Sequence, residues 1–232
     1  MARRHRLLVL AVGVTALLAG VAVAATTVLV TPVNLAGFKK QNEACAGVKT
    51  GKIKFVSGPG TPPTGTGSVR FRVGSNGDSY PNLRTGDYAF VRLTSLTALL
   101  YSTYVSHFGS GGQAPYIDLY IDNNNNGTRD DILTFEPIYQ TGQQPLLNTW
   151  QTWDALNGLW WSDGMGGPPP LLTLGDYVAL HPDASIVNSG GKGLILAAGC
   201  GGAAWTGFVG YLDRLHTGVT GREPLIYDFE TG

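Results

Sequence analysis

Two short stretches of the 232-residue chain hold the side chains best suited to chemistry. In the first, Asp122, Asn124 and Asn126 alternate, Gly127 follows, and Asp130 and Asp131 close the turn. A D-x-N-x-N-G run offers side-chain oxygens at the first three ligand positions of an EF-hand-like loop, and Ca2+ takes roughly six to eight oxygens. The twelfth-position Glu is missing, because Leu133 stands there. A weak Ca2+ site at Asp122, Asn124, Asn126, Asp130 and Asp131 is one expectation. The other is a polar hairpin turn, whose Asn and Gly residues accept positive φ.

The second stretch is aromatic. Trp150, Trp153, Trp160 and Trp161 fall within twelve residues, and Trp205 is the only other tryptophan. Sugar rings present apolar C–H faces that stack on indole and phenol rings, while a few polar groups read the hydroxyls. The expected ligand-binding residues are Tyr116, Asp118, Tyr120, Trp150 and Trp153. The competing reading is core packing, since tryptophan has a large area to bury.

For catalysis the chain selects no residue. His107, His181 and His216 are isolated, and no H-E-x-x-H, G-x-S-x-G or G-x-x-x-x-G-K run occurs. Asp118 and Glu136 flank one hairpin, and Asp213 and Asp228 lie late in the chain, but spacing favours neither pair.

These side chains must be positioned by strands. Tyr116 to Asp122 alternates, with Ile117, Leu119 and Ile121 on one face and Tyr116, Asp118, Tyr120 and Asp122 on the other. That period of two predicts a half-buried antiparallel strand. Ile132 to Glu136 returns after the Asn-rich turn and stops at Pro137. Further strands are expected at 52–56, 69–73, 89–93, 98–105, 184–187, 193–198, 207–215 and 225–230, with 33 glycines available for turns. One helix is expected, Leu174 to Leu180, with Thr173 and Asp176 at capping-box spacing and Pro182 beyond its end. Strands that do not alternate with helices point to an all-β sandwich or barrel.

The first residues set the compartment. Arg3, Arg4 and Arg6 precede an apolar run, and Ala22-Val23-Ala24 supplies an A-x-A pattern, so residues 1–24 are expected to be a Sec-type signal peptide. The alternative is an uncleaved anchor extending to residue 30. Removing the leader takes three of the 16 basic residues and none of the 16 acidic ones, which leaves a net charge of −3. That balance argues against a nucleic-acid partner. In an exported chain Cys45 and Cys200 are expected to form a disulfide. Residues 25–47 show no clear pattern and are expected to lead into one domain over 48–232.

With these pieces laid out, a resemblance can be stated. Gly65 to Phe71, Ala114 to Asp122, Trp150 to Leu156, Gly207 to Asp213 and Tyr227 to Glu230 resemble exported bacterial proteins of the lectin and carbohydrate-binding-module kind. The resemblance implies an antiparallel jelly-roll β-sandwich of the concanavalin A-like type. Exported jelly-roll glucanases carry an E-x-D cluster on one strand, and this chain has none. The implied function is therefore non-catalytic recognition of a polysaccharide or surface glycan. An adhesive module without a small ligand is the alternative, and a glycoside hydrolase is a third.

Overall fold

The computed structural model describes residues 24–232, so the leader assigned to residues 1–24 falls almost wholly outside the described residues. In chain order the first seven strands are β1 (Thr26–Val30), β2 (Lys39–Ala44), β3 (Lys52–Ser57), β4 (Gly67–Arg72), β5 (Ser79–Thr85), β6 (Leu96–His107) and β7 (Tyr116–Asp122). The others are β8 (Asp131–Phe135), β9 (Trp150–Asp154), β10 (Trp161–Ser162), β11 (Ser185–Ile186), β12 (Leu194–Ala197), β13 (Val209–Val219) and β14 (Leu225–Phe229). They form two sheets of seven.

One sheet is built on the long strand β13, which pairs along one side with β6 and along the other with β4 and then β14. Its edges are β9, β3 and β1. The second sheet runs β10-β8-β7-β12-β5-β2, with the short β11 also on β7. All pairings are antiparallel except β1 with β14. The expected all-β sandwich is therefore what the chain forms.

The alternation in β7 sets the inner face. Ile117, Leu119 and Ile121 are fully buried; Ile117 pairs with Leu196 of β12 and Phe135 of β8, Leu119 with Leu194 and Leu133, and Ile121 with Ile186 of β11 and Asp131 of β8. Across the interface lie Val69, Phe71, Leu99, Tyr101 and Leu212 of the other sheet. The Tyr101 and Phe135 rings meet edge to face at 6.0 Å. Each such side chain contributes about 1.5–3 kcal/mol by leaving water. The helix α1 (Leu174–Leu180) forms as expected. Thr173 Oγ1 accepts from the Asp176 N–H, and the Asp176 carboxylate accepts from the Thr173 N–H.

Three expectations need correction. Ala89 to Leu93 is a turn leading into a short 3-10 segment (Leu93–Ser95), because Phe90 adopts a φ of 65°, outside the strand region. The segment 25–47 is more than a lead-in: β1 pairs with β14 and β2 with β5, so it completes one edge of each sheet. Finally, every residue of β7 is buried, on both faces. The strand is central, and its polar face is overlaid by aromatic side chains from neighbouring elements.

Candidate functional site

That polar face is the floor of a cleft. Tyr116, Asp118 and Tyr120 point outward from the sandwich, and so do Ile132, Thr134 and Glu136 from the neighbouring strand β8 and the residue after it. Trp161 follows from β10, paired with Thr134, and Tyr80 rises from β5 on the other side. The Cys45–Cys200 disulfide, the segment after it and Trp205 close one end. The cleft has a volume of about 420 Å³ and is open to solvent. A drug-sized or oligosaccharide-sized ligand needs roughly 300–1,000 Å³.

Hydrogen bonds fix its polar groups. Asp118 accepts from the Tyr80 hydroxyl at 2.6 Å on Oδ2 and from the Thr134 hydroxyl at 2.7 Å on Oδ1. The indole N–H of Trp161 donates to Oε2 of Glu136 at 3.0 Å. The Tyr116 hydroxyl donates to the Gly199 carbonyl at 3.0 Å, which anchors the ring rather than offering it. Trp205 packs on Tyr116 with ring centroids 5.6 Å apart. One face of Tyr120 is covered by the Arg129 guanidinium, 4.8 Å from the ring centroid.

Burial makes both carboxyls hard to ionise. Desolvation pushes Asp118 up to about 6, against the opposing pull of the Tyr80 and Thr134 hydroxyls. Glu136 is pushed up to about 7 by burial, with the Asp118 charge adding to the shift and the Trp161 N–H opposing it. In an antiparallel pair Asp118 sits opposite Thr134, so Glu136 is its diagonal neighbour on the same face. The two carboxyls therefore share one cleft.

No family model matches the chain, and no curated protein matches it. Two solved structures are similar in shape. One is SGBP-B from a complex xyloglucan utilization locus in Bacteroides uniformis, at 13% identity and a TM-score of 0.36. That match covers 72% of this chain and 45% of the other, so the chain spans less than half of that protein's length. The second is a family 11 carbohydrate-binding module from Clostridium thermocellum in complex with a beta-1,3-1,4-mixed-linked tetrasaccharide. It is 10% identical with a TM-score of 0.38, covering 85% of this chain and 92% of the other.

Of the five residues expected to bind a ligand, the structure brings together Tyr116, Asp118 and Tyr120 and sets the two tryptophans elsewhere. Trp150 and Trp153 belong to β9, in the opposite sheet. Trp153 is 2% exposed, faces the core and donates its indole N–H to Thr103 Oγ1 at 2.8 Å. Trp150 lies on the outer face of its own sheet against Tyr104, 5.6 Å between centroids, with its N–H on the Pro59 carbonyl. Trp160 is fully buried against Phe135. The cleft instead uses Trp161, Trp205, Tyr80 and Glu136. For Glu136 a signal existed: it continues the Ile132, Thr134 alternation by one more step. For Tyr80 and Trp205 none did, because they arrive from distant strands and loops.

In the Asn-rich turn the carboxylates are engaged internally. Asp122 is 1% exposed and accepts from the backbone N–H of Asn124, Asn126 and Gly127 at 3.1, 3.1 and 2.5 Å. Burial alone would raise its pKa, but these N–H donors outweigh it and hold the carboxyl below its usual value. Asp130 accepts from the Asn123 N–H at 2.8 Å. Asp131 accepts from Ser162, Gly164, Tyr177 and its neighbour Ile132. Asn126 Oδ1 accepts from the Thr128 N–H. Among the described residues no group of three or more His, Cys, Asp or Glu side chains is placed to hold a metal ion. The cysteines do form the expected disulfide, with Cα atoms 5.5 Å apart.

Proposed function

We propose that this is an exported recognition protein that holds a glycan in the cleft over β7 and β8. One observation carries the reading. A solvent-open cleft of about 420 Å³ combines several aromatic side chains with two hydrogen-bonded carboxyls on a single rigid sheet face. Stacking on Trp161 and Tyr139 supplies contact area, and Glu136 and Asp118 accept hydrogen bonds from the sugar. Trp161 is half-buried, with its indole held in place by Glu136. Tyr116 and Tyr120 form the floor and support rather than stack, because the hydroxyl of one and a ring face of the other are already engaged.

The test is retention on a panel of neutral, basic and acidic polysaccharides, by pull-down for insoluble and affinity electrophoresis for soluble ones. At least one should retain the wild-type protein. Trp161→Ala should weaken that retention by about tenfold or more, the scale of a central aromatic anchor. Trp150→Ala, on the opposite sheet, should leave it unchanged. Absence of retention on every polysaccharide, or a Trp161→Ala protein that behaves as wild type, would refute the reading.

A further inference from the structure

The cleft floor contains two carboxyl groups that form no ion pair among the described residues. Among the described residues the ion pairs are Arg84–Glu43, Arg92–Asp183 and Lys192–Glu43, and neither Asp118 nor Glu136 takes part. Lys192, whose charge reaches Asp118, is itself bound to Glu43 at 3.2 Å. Asp163, also lining the cleft, adds a third acidic group near Asp118. Glu136 is only 9% exposed; its Oε2 is taken by Trp161, and its Oε1 has no hydrogen-bond partner among the described residues. That oxygen is not sealed from the cleft, so a ligand's cation or donor can reach a carboxyl whose charged form burial disfavours.

The walls suit a cation as well as a sugar. Tyr80, Tyr116, Tyr139, Trp161 and Trp205 line the same cleft as the two carboxyls. The negative faces of such rings attract ammonium and guanidinium groups. Tyr120, at the cleft edge, already carries a guanidinium over its ring. A neutral sugar hydroxyl could meet the open oxygen of Glu136 but would do little to favour its ionised form. A uronic acid would add like charge. A protonated amine meets both demands, with its N–H groups on the carboxylates and its C–H flanks against the rings.

We infer that the glycan taken by this cleft carries an unacylated amino group, seated as an ammonium ion between Glu136 and Asp118. The sugar part of this inference rests on the glycan reading above; the charge part does not. The test is calorimetric titration at pH 7 and constant ionic strength with trimers of glucosamine, N-acetylglucosamine and glucose, and with tetramethylammonium chloride as a minimal cation. The glucosamine trimer should bind at least about tenfold more tightly than either other trimer. Glu136→Gln keeps the side-chain shape and an acceptor for Trp161, and it should abolish most of that preference.

The comparison of ligands on the wild-type protein needs no variant, so a misfolded variant does not decide the outcome. If the acetylated or neutral trimer binds as tightly as the amine, the charge assignment is overturned while glycan binding stands. If tetramethylammonium binds and no trimer does, the charge assignment stands and the glycan reading falls. If nothing binds, both fall.

Discussion

At the scale of single residues, Glu136 and Asp118 behave unlike carboxylates free in water. A group whose folded pKa is raised binds its proton more tightly when folded. Its stabilising contribution is complete below the unfolded pKa and is lost as pH climbs through the folded one. For Glu136 the window runs from its ordinary 4.5 to about 7, and for Asp118 from 3.8 to about 6. Burial drives both rises; Asp163 adds to that of Asp118 while the Tyr80 and Thr134 hydroxyls and Lys192 oppose it, and at Glu136 the Asp118 charge adds while the Trp161 N–H opposes. Replacing Glu136 by Gln should therefore stabilise the protein at pH 8 by up to about 3 kcal/mol and do nothing at pH 4. Urea unfolding of both proteins at the two pH values checks this. Equal stabilities at pH 8 would mean that Glu136 ionises without cost. Residue roles were only half legible in the sequence. Alternation placed Tyr116, Asp118 and Tyr120 on one face, yet nothing local told which strands would lie beside them. Trp161 and Trp153 look alike as sequence, and only strand pairing sends one to the cleft and the other to the core.

At the scale of elements, the hairpin β7–β8 was the most readable part. Its apolar period, its Asn-Gly turn and its terminating Pro137 all agree with the observed pairing. The turn holds its shape by the N–H groups on Asp122, so addition of Ca2+ or a chelator should leave the melting temperature unchanged. A rise with Ca2+ would assign it a stabilising metal site. Strand β9 was less readable, because Trp150 and Trp153 suggested one cluster while the alternation puts them on opposite faces. Trp153→Ala should cost about 3–5 kcal/mol of stability, as expected for a large core truncation. It should leave glycan retention intact at temperatures where the variant is folded. Retention lost together with a native circular dichroism spectrum would instead tie β9 to the ligand.

At the scale of the whole molecule, the sandwich class followed from many short strands, one helix and abundant turn residues. The edges did not. Strand β2, Lys39–Ala44, reads KKQNEA, which carries no apolar alternation, and it forms by pairing with β5 rather than by burying a face of its own. Long-range closure is supplied by Cys45 and Cys200, 155 residues apart, which join the end of β2 to the segment after β12 beside the cleft. Loss of that bond in a Cys45→Ser, Cys200→Ser double variant should destabilise the protein by about 2–5 kcal/mol. Thermal unfolding reads that loss directly. A melting temperature equal to wild type would show the bond to be dispensable for the fold.

The proposed function turns on where a sugar sits. A crystal structure of the protein soaked with an oligosaccharide it retains addresses that most directly. Density for a sugar ring against Trp161, with a polar substituent within hydrogen-bonding distance of Glu136, is the expected result. A ring bound instead on the outer face of the other sheet, beside Trp150 and Tyr104, would contradict it.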